Sequence, residues 1–138
     1  MPVGWTPEMS VGITEIDDQH KELFKRANVL LDAIKESKSA DDISRVVAFL
    51  QNYMAGHFDT EEKYMMRYGC PQYISHKARH TLYAMEFSGI KHSLIHTDSD
   101  ASVLLVKKRI VDWLIDHIQR EDMSLGSFIN SIKLKNAA

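Results

Sequence analysis

Four stretches of this 138-residue chain set apolar residues at intervals of three and four, and each of those stripes carries or adjoins a histidine. Such spacing keeps one face of an α-helix apolar, so the chain is constrained to helices that bury those faces against one another. Leu23, Phe24, Ala27, Leu30, Leu31 and Ile34 make the first stripe, and Ile43, Val46, Val47, Leu50, Met54 and His57 the second. The third helix runs through Ile74, Leu82, Tyr83, Met85, Phe87 and Ile90, and the fourth through Val103, Leu104, Val106, Ile110, Trp113, Leu114 and Ile118. No alternating run is long enough to make a convincing strand. Helices of about twenty residues with short connections predict an all-α, antiparallel up-down-up-down four-helix bundle.

The breaks between stripes set the expected boundaries. Pro2, Gly4, Pro7 and Gly12 make 1–17 an irregular N-terminal arm, with Trp5 as its anchor. Helix one should run from Asp18 to about Ser37, and Ser39, Asp41 and Asp42 supply cap and first-turn acids for helix two. Gly69 followed by Pro71 stops that helix near Tyr68. The polar segment Thr97 to Asp100 reads as a turn, with Ser99 or Asp100 capping helix four, and a short C-terminal tail helix follows from about Met123 to Leu134. The expected organisation is one domain over 1–138: arm 1–17, bundle 18–122 and tail 123–138.

Composition narrows the classes of partner. At 44% hydrophobic the chain can enclose a core without disulfides, and its single cysteine, Cys70, allows no intramolecular one. A net charge of -2 implies no broad nucleic-acid or membrane face. No apolar run approaches the roughly 18 residues of a membrane span, and the first residues lack the pattern of a secretory signal. A soluble, cytoplasmic monomer is expected.

The positions of the seven histidines carry the chemistry. His57 and Glu61 lie four apart on helix two, and His76 and His80 four apart on helix three, so each pair shares a face. His20 precedes Leu23 and Phe24 by three and four, and His117 follows Trp113 and Leu114 by four and three, which turns both inward. A lone inward histidine is more often a hydrogen-bonded core residue than a ligand. Five of them with an inward glutamate cannot all find ordinary partners in a small apolar core, and a metal between facing helices is the economical solution. His92 and His96 repeat the four-residue spacing but fall roughly 160° and 200° around the helix from His76, away from that site. Asp122, five residues after His117, would sit about 140° away on an ideal helix and joins only if a turn there widens. Tyr53, Tyr64 and Tyr83 are candidates to support ligands from behind, with nothing to choose among them.

Trp5, Val11-Gly12-Ile13, Ile16-Asp17, Gln19-His20-Lys21, His57-Phe58, Glu61-Glu62, His76 through His80, and His117 with Asp122, Leu125-Gly126 and Phe128 together resemble the hemerythrin family, in particular its bacterial members. The resemblance covers nearly the whole chain and supplies what spacing leaves open, an aspartate five positions after the last histidine. It implies two non-haem irons joined by an oxo or hydroxo bridge, one on His76, His80 and His117 and the other on His20 and His57, with Glu61 and Asp122 bridging. With about six positions per iron, one stays open on the two-histidine iron. Reversible dioxygen binding there, for storage, transport or buffering, is the expected role, with Trp113, Leu114 and Ile118 as walls of the oxygen pocket and Phe24, Phe58 and Met54 as further walls. An oxygen or redox sensor module is the second expectation. A di-iron enzyme acting on peroxide, nitric oxide or ferrous iron is the third, disfavoured because histidines dominate and the Glu-x-x-His repeat of oxygen-activating bundles is missing.

Overall fold

Each stripe becomes a helix in the computed structural model, which describes residues 4–95 and 98–137. Helix α1 spans Thr14–Lys35, α2 Ala40–Tyr68 and α3 Tyr73–Ile95. The fourth rod runs unbroken over 99–137 as α4 (Ser99–Val106), a π-helical segment (Lys107–Asp112), α5 (Trp113–His117), a second π-helical segment (Ile118–Asp122) and α6 (Met123–Ala137). α1 packs on α2 and on the fourth rod, and α3 completes the ring against α2 and the rod, giving the four-helix bundle. The expected tail helix is no separate element, because α6 continues the rod.

The chain's breaks act locally as their chemistry dictates. Ser39 caps α2 by accepting a hydrogen bond from the Asp42 amide, and Gly69 ends it in the left-handed conformation with φ 64°. The cap of the fourth rod is Asp98, whose carboxylate accepts from the Ala101 amide, so the expected Ser99 and Asp100 already lie in the first turn. α1 begins four residues earlier than expected, since Asp17 is a first-turn acid that folds back onto the arm. Its carboxylate accepts from the Ser10 hydroxyl at 2.6 Å and from the Val11 amide at 2.8 Å. The arm therefore ends at Ile13. Trp5 does lie on the bundle, half-buried with the Lys21 ammonium over its ring, but Val11 and Ile13 are the arm residues that enter the core.

The arm also docks on α6. Gly126 faces the Val11 carbonyl so closely that a Cβ there would run into the oxygen, and the Asn130 side chain donates to the Gly12 carbonyl at 3.1 Å. Gly12 itself has φ 79°, which glycine adopts without strain.

α3 corrects one expectation. Ile74, Leu82 and Met85 are 81%, 58% and 69% exposed, so they do not belong to the buried stripe. The inward face is His76, His80, Tyr83, Phe87, Ile90 and Leu94, all buried. Their alternation of four and three is the seam spacing of packed helices. Ile74, Leu82 and Met85 lie on other faces, and only one face can meet both neighbouring helices. The histidine face also carries the two large aromatic rings, and it is the one that is buried.

Candidate metal centre

Apart from Ser102 on α4, the buried polar residues among those described concentrate at one level. His20, His57, Glu61, His76, His80, His117 and Asp122 are all at most 4% exposed. α1 contributes His20, α2 His57 and Glu61, α3 His76 and His80, and the fourth rod His117 and Asp122. All seven residues singled out in the sequence are brought together. Asp122 arrives because Ile118–Asp122 is a π-helical segment, the widened turn on which its membership depended. His92 is exposed on the far part of α3, and His96 lies outside the described residues.

The potential ligand atoms fall into two overlapping groups, each with its atoms within 4.8 Å of one another. One contains Glu61, His76, His80, His117 and Asp122, and the other His20, His57, Glu61 and Asp122. Glu61 and Asp122 belong to both. The five imidazoles point Nε2 inward. Asp122 lies 2.9 Å from His20, 3.0 Å from His76 and 3.1 Å from His117, while Glu61 lies 3.2 Å from His80 and 3.4 Å from His57. The Nε2 atoms of His80 and His117 are 3.1 Å apart, and those of His76 and His117 3.3 Å.

Behind the rings stand partners that spacing alone did not identify. The Glu62 carboxylate sits 3.0 Å from Nδ1 of His80, and Glu121 faces Nδ1 of His117 at 3.4 Å while pairing with Arg79. The Gln19 carbonyl oxygen accepts from Nδ1 of His57 at 2.6 Å, and the Gln19 amide donates to Thr60 at 3.1 Å. Glu121 follows His117 by four residues, so helical spacing could have flagged it. Glu62 and Gln19 reach across to another helix, which no local pattern reports. Of the tyrosines, Tyr64 donates to Glu15 and Tyr53 lies beneath Arg26, whereas Tyr83 donates to the Arg109 carbonyl and stacks at 3.5 Å on Trp113. Aromatic rings brace two of the ligands, with Phe58 stacked on His80 at 3.9 Å and Trp113 on His117 at 4.7 Å.

Electrostatics show what this cluster requires. Burial pushes the Asp122 carboxyl up, as does the neighbouring Glu61 charge, yet His117 and His20 hold it at about 2. Burial likewise opposes the charge on Glu61, and contacts with His57, His117 and His80 still keep it well below the carboxylate range. His117 would lose its proton on burial alone, but Asp122 and Glu61 push it up to about 10, and Glu61 raises His57 in the same way. Two buried carboxylates are thus anionic, and among the described residues their ion-pair partners are all histidines.

A metal cation fits the donor set. Both Glu61 oxygens, Asp122 Oδ1 and His57 Nε2 are buried without a hydrogen-bond partner, and buried polar atoms in native proteins are rarely left so. Glu62 and Glu121 only accept, so the Nδ1 atoms facing them carry hydrogen, and Nε2 is the atom each ring offers to a cation once it is neutral. A four-helix bundle with a buried imidazole and carboxylate cluster at one level defines a helical metal-binding protein. Residues 11–129 match the model of the hemerythrin HHE cation binding domain, and the chain belongs to the hemerythrin family. It is 27% identical to a bacteriohemerythrin of Clostridium acetobutylicum over 86% of this chain and 94% of that one. A hemerythrin-like protein of Naegleria gruberi is 31% identical over 88% of this chain and 89% of its own length. A wild-type hemerythrin crystal structure superposes with TM-score 0.78 at 25% identity, covering 94% of this chain and 98% of that one.

Proposed function

We propose that the centre holds two non-haem irons, joined by an oxo or hydroxo bridge, and binds dioxygen reversibly for storage, transport or buffering. The observation that carries this reading is the sharing of Glu61 and Asp122 between a three-histidine and a two-histidine group. His76, His80 and His117 would hold one iron, His20 and His57 the other, and the two shared carboxylates would span both. Iron bound there would supply a redox-active pair, and with one imidazole fewer the His20 and His57 side would be the one to accept dioxygen.

The chain's own work is to orient the ligands and keep water out. Glu62, Glu121 and Gln19 fix the imidazoles with Nε2 inward. Leu114 and Ile118 are buried and would form the apolar wall beside the irons, with Phe24, Phe58 and Met54 in the same core. Trp113, the third expected wall, lies flat on His117 and would close the three-histidine side. Such a lining offers no acidic side chain and keeps water out, which favours release over chemistry. We therefore read the protein as a carrier rather than an enzyme, acting as a single-domain cytoplasmic monomer. Among the described residues no helix is long and apolar enough to cross a membrane.

The test is the visible and resonance Raman spectrum of anaerobically reduced, iron-loaded protein before oxygen, with oxygen and after its removal. A charge-transfer band that appears with oxygen and disappears on deoxygenation is expected. Irreversible oxidation without such a band would overturn the carrier reading, and protein that binds no iron would overturn the centre.

A further inference from the structure

The two halves of the centre differ in more than their count of imidazoles. Glu61 and Asp122 belong to both groups and cancel in a comparison. What remains differs in charge. On the three-histidine side, Nδ1 of His80 meets the Glu62 carboxylate at 3.0 Å and Nδ1 of His117 faces Glu121 at 3.4 Å. On the two-histidine side, Nδ1 of His57 meets the neutral Gln19 amide, and Nδ1 of His20 is buried without a hydrogen-bond partner.

An anionic acceptor behind an imidazole draws the Nδ1 hydrogen toward itself and leaves more electron density on Nε2, the atom that would bind a cation. A neutral amide fixes the ring orientation equally well but transfers less density. Gln19 is itself held by Thr60, so its carbonyl oxygen is presented to His57 and the ring is oriented without added charge. Glu121 is partly neutralised by Arg79, and its separation from His117 is longer, so its contribution should be the smaller of the two carboxylates.

We propose that the two metal positions are graded in affinity, the three-histidine position filling first, and that Glu62, assisted by Glu121, is the positioning residue that sets the grade. The inference rests on the two-metal reading above. Its mark is asymmetry: a residue that merely supports the fold would alter both binding steps together, whereas Glu62 alters one.

The test is an anaerobic calorimetric titration of metal-free full-length protein with Co2+, followed in parallel by the cobalt visible spectrum. The parent should bind two ions in resolved steps. Glu62→Gln keeps the shape and removes the charge, and it should weaken the first step about 10-fold, the lower end of what loss of such a partner costs, while leaving the second within about twofold. Glu121→Gln should act on the same step with a smaller factor. Gln19→Glu should strengthen the second step alone, and as a gain of affinity it remains informative if Glu62→Gln fails to fold. Equal weakening of both steps by Glu62→Gln, or no change in either, would overturn the inference, as would Gln19→Glu leaving the second step where it was. Protein that binds no cobalt would overturn the two-metal reading itself, whereas two ions with unshifted constants would defeat only the grading.

Discussion

The inward face of α3 can be divided at Tyr83. On one side it presents His76 and His80 to the centre, and on the other Phe87, Ile90 and Leu94 to an apolar core shared with Leu30, Ile34, Leu50, Val106 and Ile110. The helical seam is the same in both halves, so backbone geometry does not distinguish them. The difference lies in what compensates burial. The apolar half gains roughly 1.5–3 kcal/mol for each large side chain removed from water. The histidine half adjoins two buried carboxylates whose ion-pair partners among the described residues are histidines, a set that a cation would complete. One half therefore holds the bundle together while the other is held by it.

The largest expected effect is on the apolar half. Phe87→Ala should lower unfolding stability by about 3–5 kcal/mol in denaturant titrations, by the same amount with and without metal. A loss that depended on metal would mean the halves are not separate. Next comes removal of metal by a chelator. At a free metal concentration 1,000 times its dissociation constant, binding contributes about 4 kcal/mol, so the melting temperature should fall on stripping. Amide exchange should then speed up around His76 and His80 while the amides near Phe87 and Ile90 stay protected; uniform acceleration would erase the distinction. Glu61→Ala should reproduce stripping, lowering iron content at least about 10-fold by elemental analysis.

A smaller effect is expected from pH. In the metal-free protein His117 is raised from 6.5 to about 10, so its contribution is complete below pH 6.5 and is lost as pH rises toward 10. Asp122 is lowered from 3.8 to about 2, so its contribution is present above pH 3.8 and disappears as pH falls toward 2. Metal needs the neutral imidazole that alkaline pH provides. The gap in melting temperature between loaded and stripped protein should widen from pH 6 to pH 9, and a constant gap would mean the stripped centre holds no extra protons. The smallest effect belongs to His92→Ala, which is expected to leave iron content unchanged and shift stability by less than about 0.5 kcal/mol.

Much of this was legible in the residues. Local chemistry reported well: the Ser39 cap, the Gly69 stop and the inward turn of His20, His57, Glu61 and His117 all follow from spacing or from the chemistry of one side chain. Choices between near-equals reported less well. Asp98, Ser99 and Asp100 are all competent caps, and α3 offers apolar residues on more than one face, so only packing could choose. Asp17 was placed in the arm because its role, holding Ser10 and Val11, is a tertiary contact. Glu62 and Gln19 were invisible as supports for the same reason, since each braces a ring on another helix. Asp122 was the sharpest case. On a regular helix its spacing turns it away from His117, and only the family resemblance places it beside the histidines.

The wide turn at Ile118–Asp122 also sets the phase of everything that follows it. Past that point the rod is rotated by the extra residue, and α6 meets the arm in that rotated setting, with Gly126 under the Val11 carbonyl and Asn130 beneath Gly12. Winding that turn as a regular α-helix with the residue count unchanged would swing Asp122 out of the cluster and, in the same stroke, carry Gly126 about 100° away from Val11. The rod acts as a shared axle, so the closure of the molecule by its own N-terminus and the completion of its metal cluster are set by one wide turn.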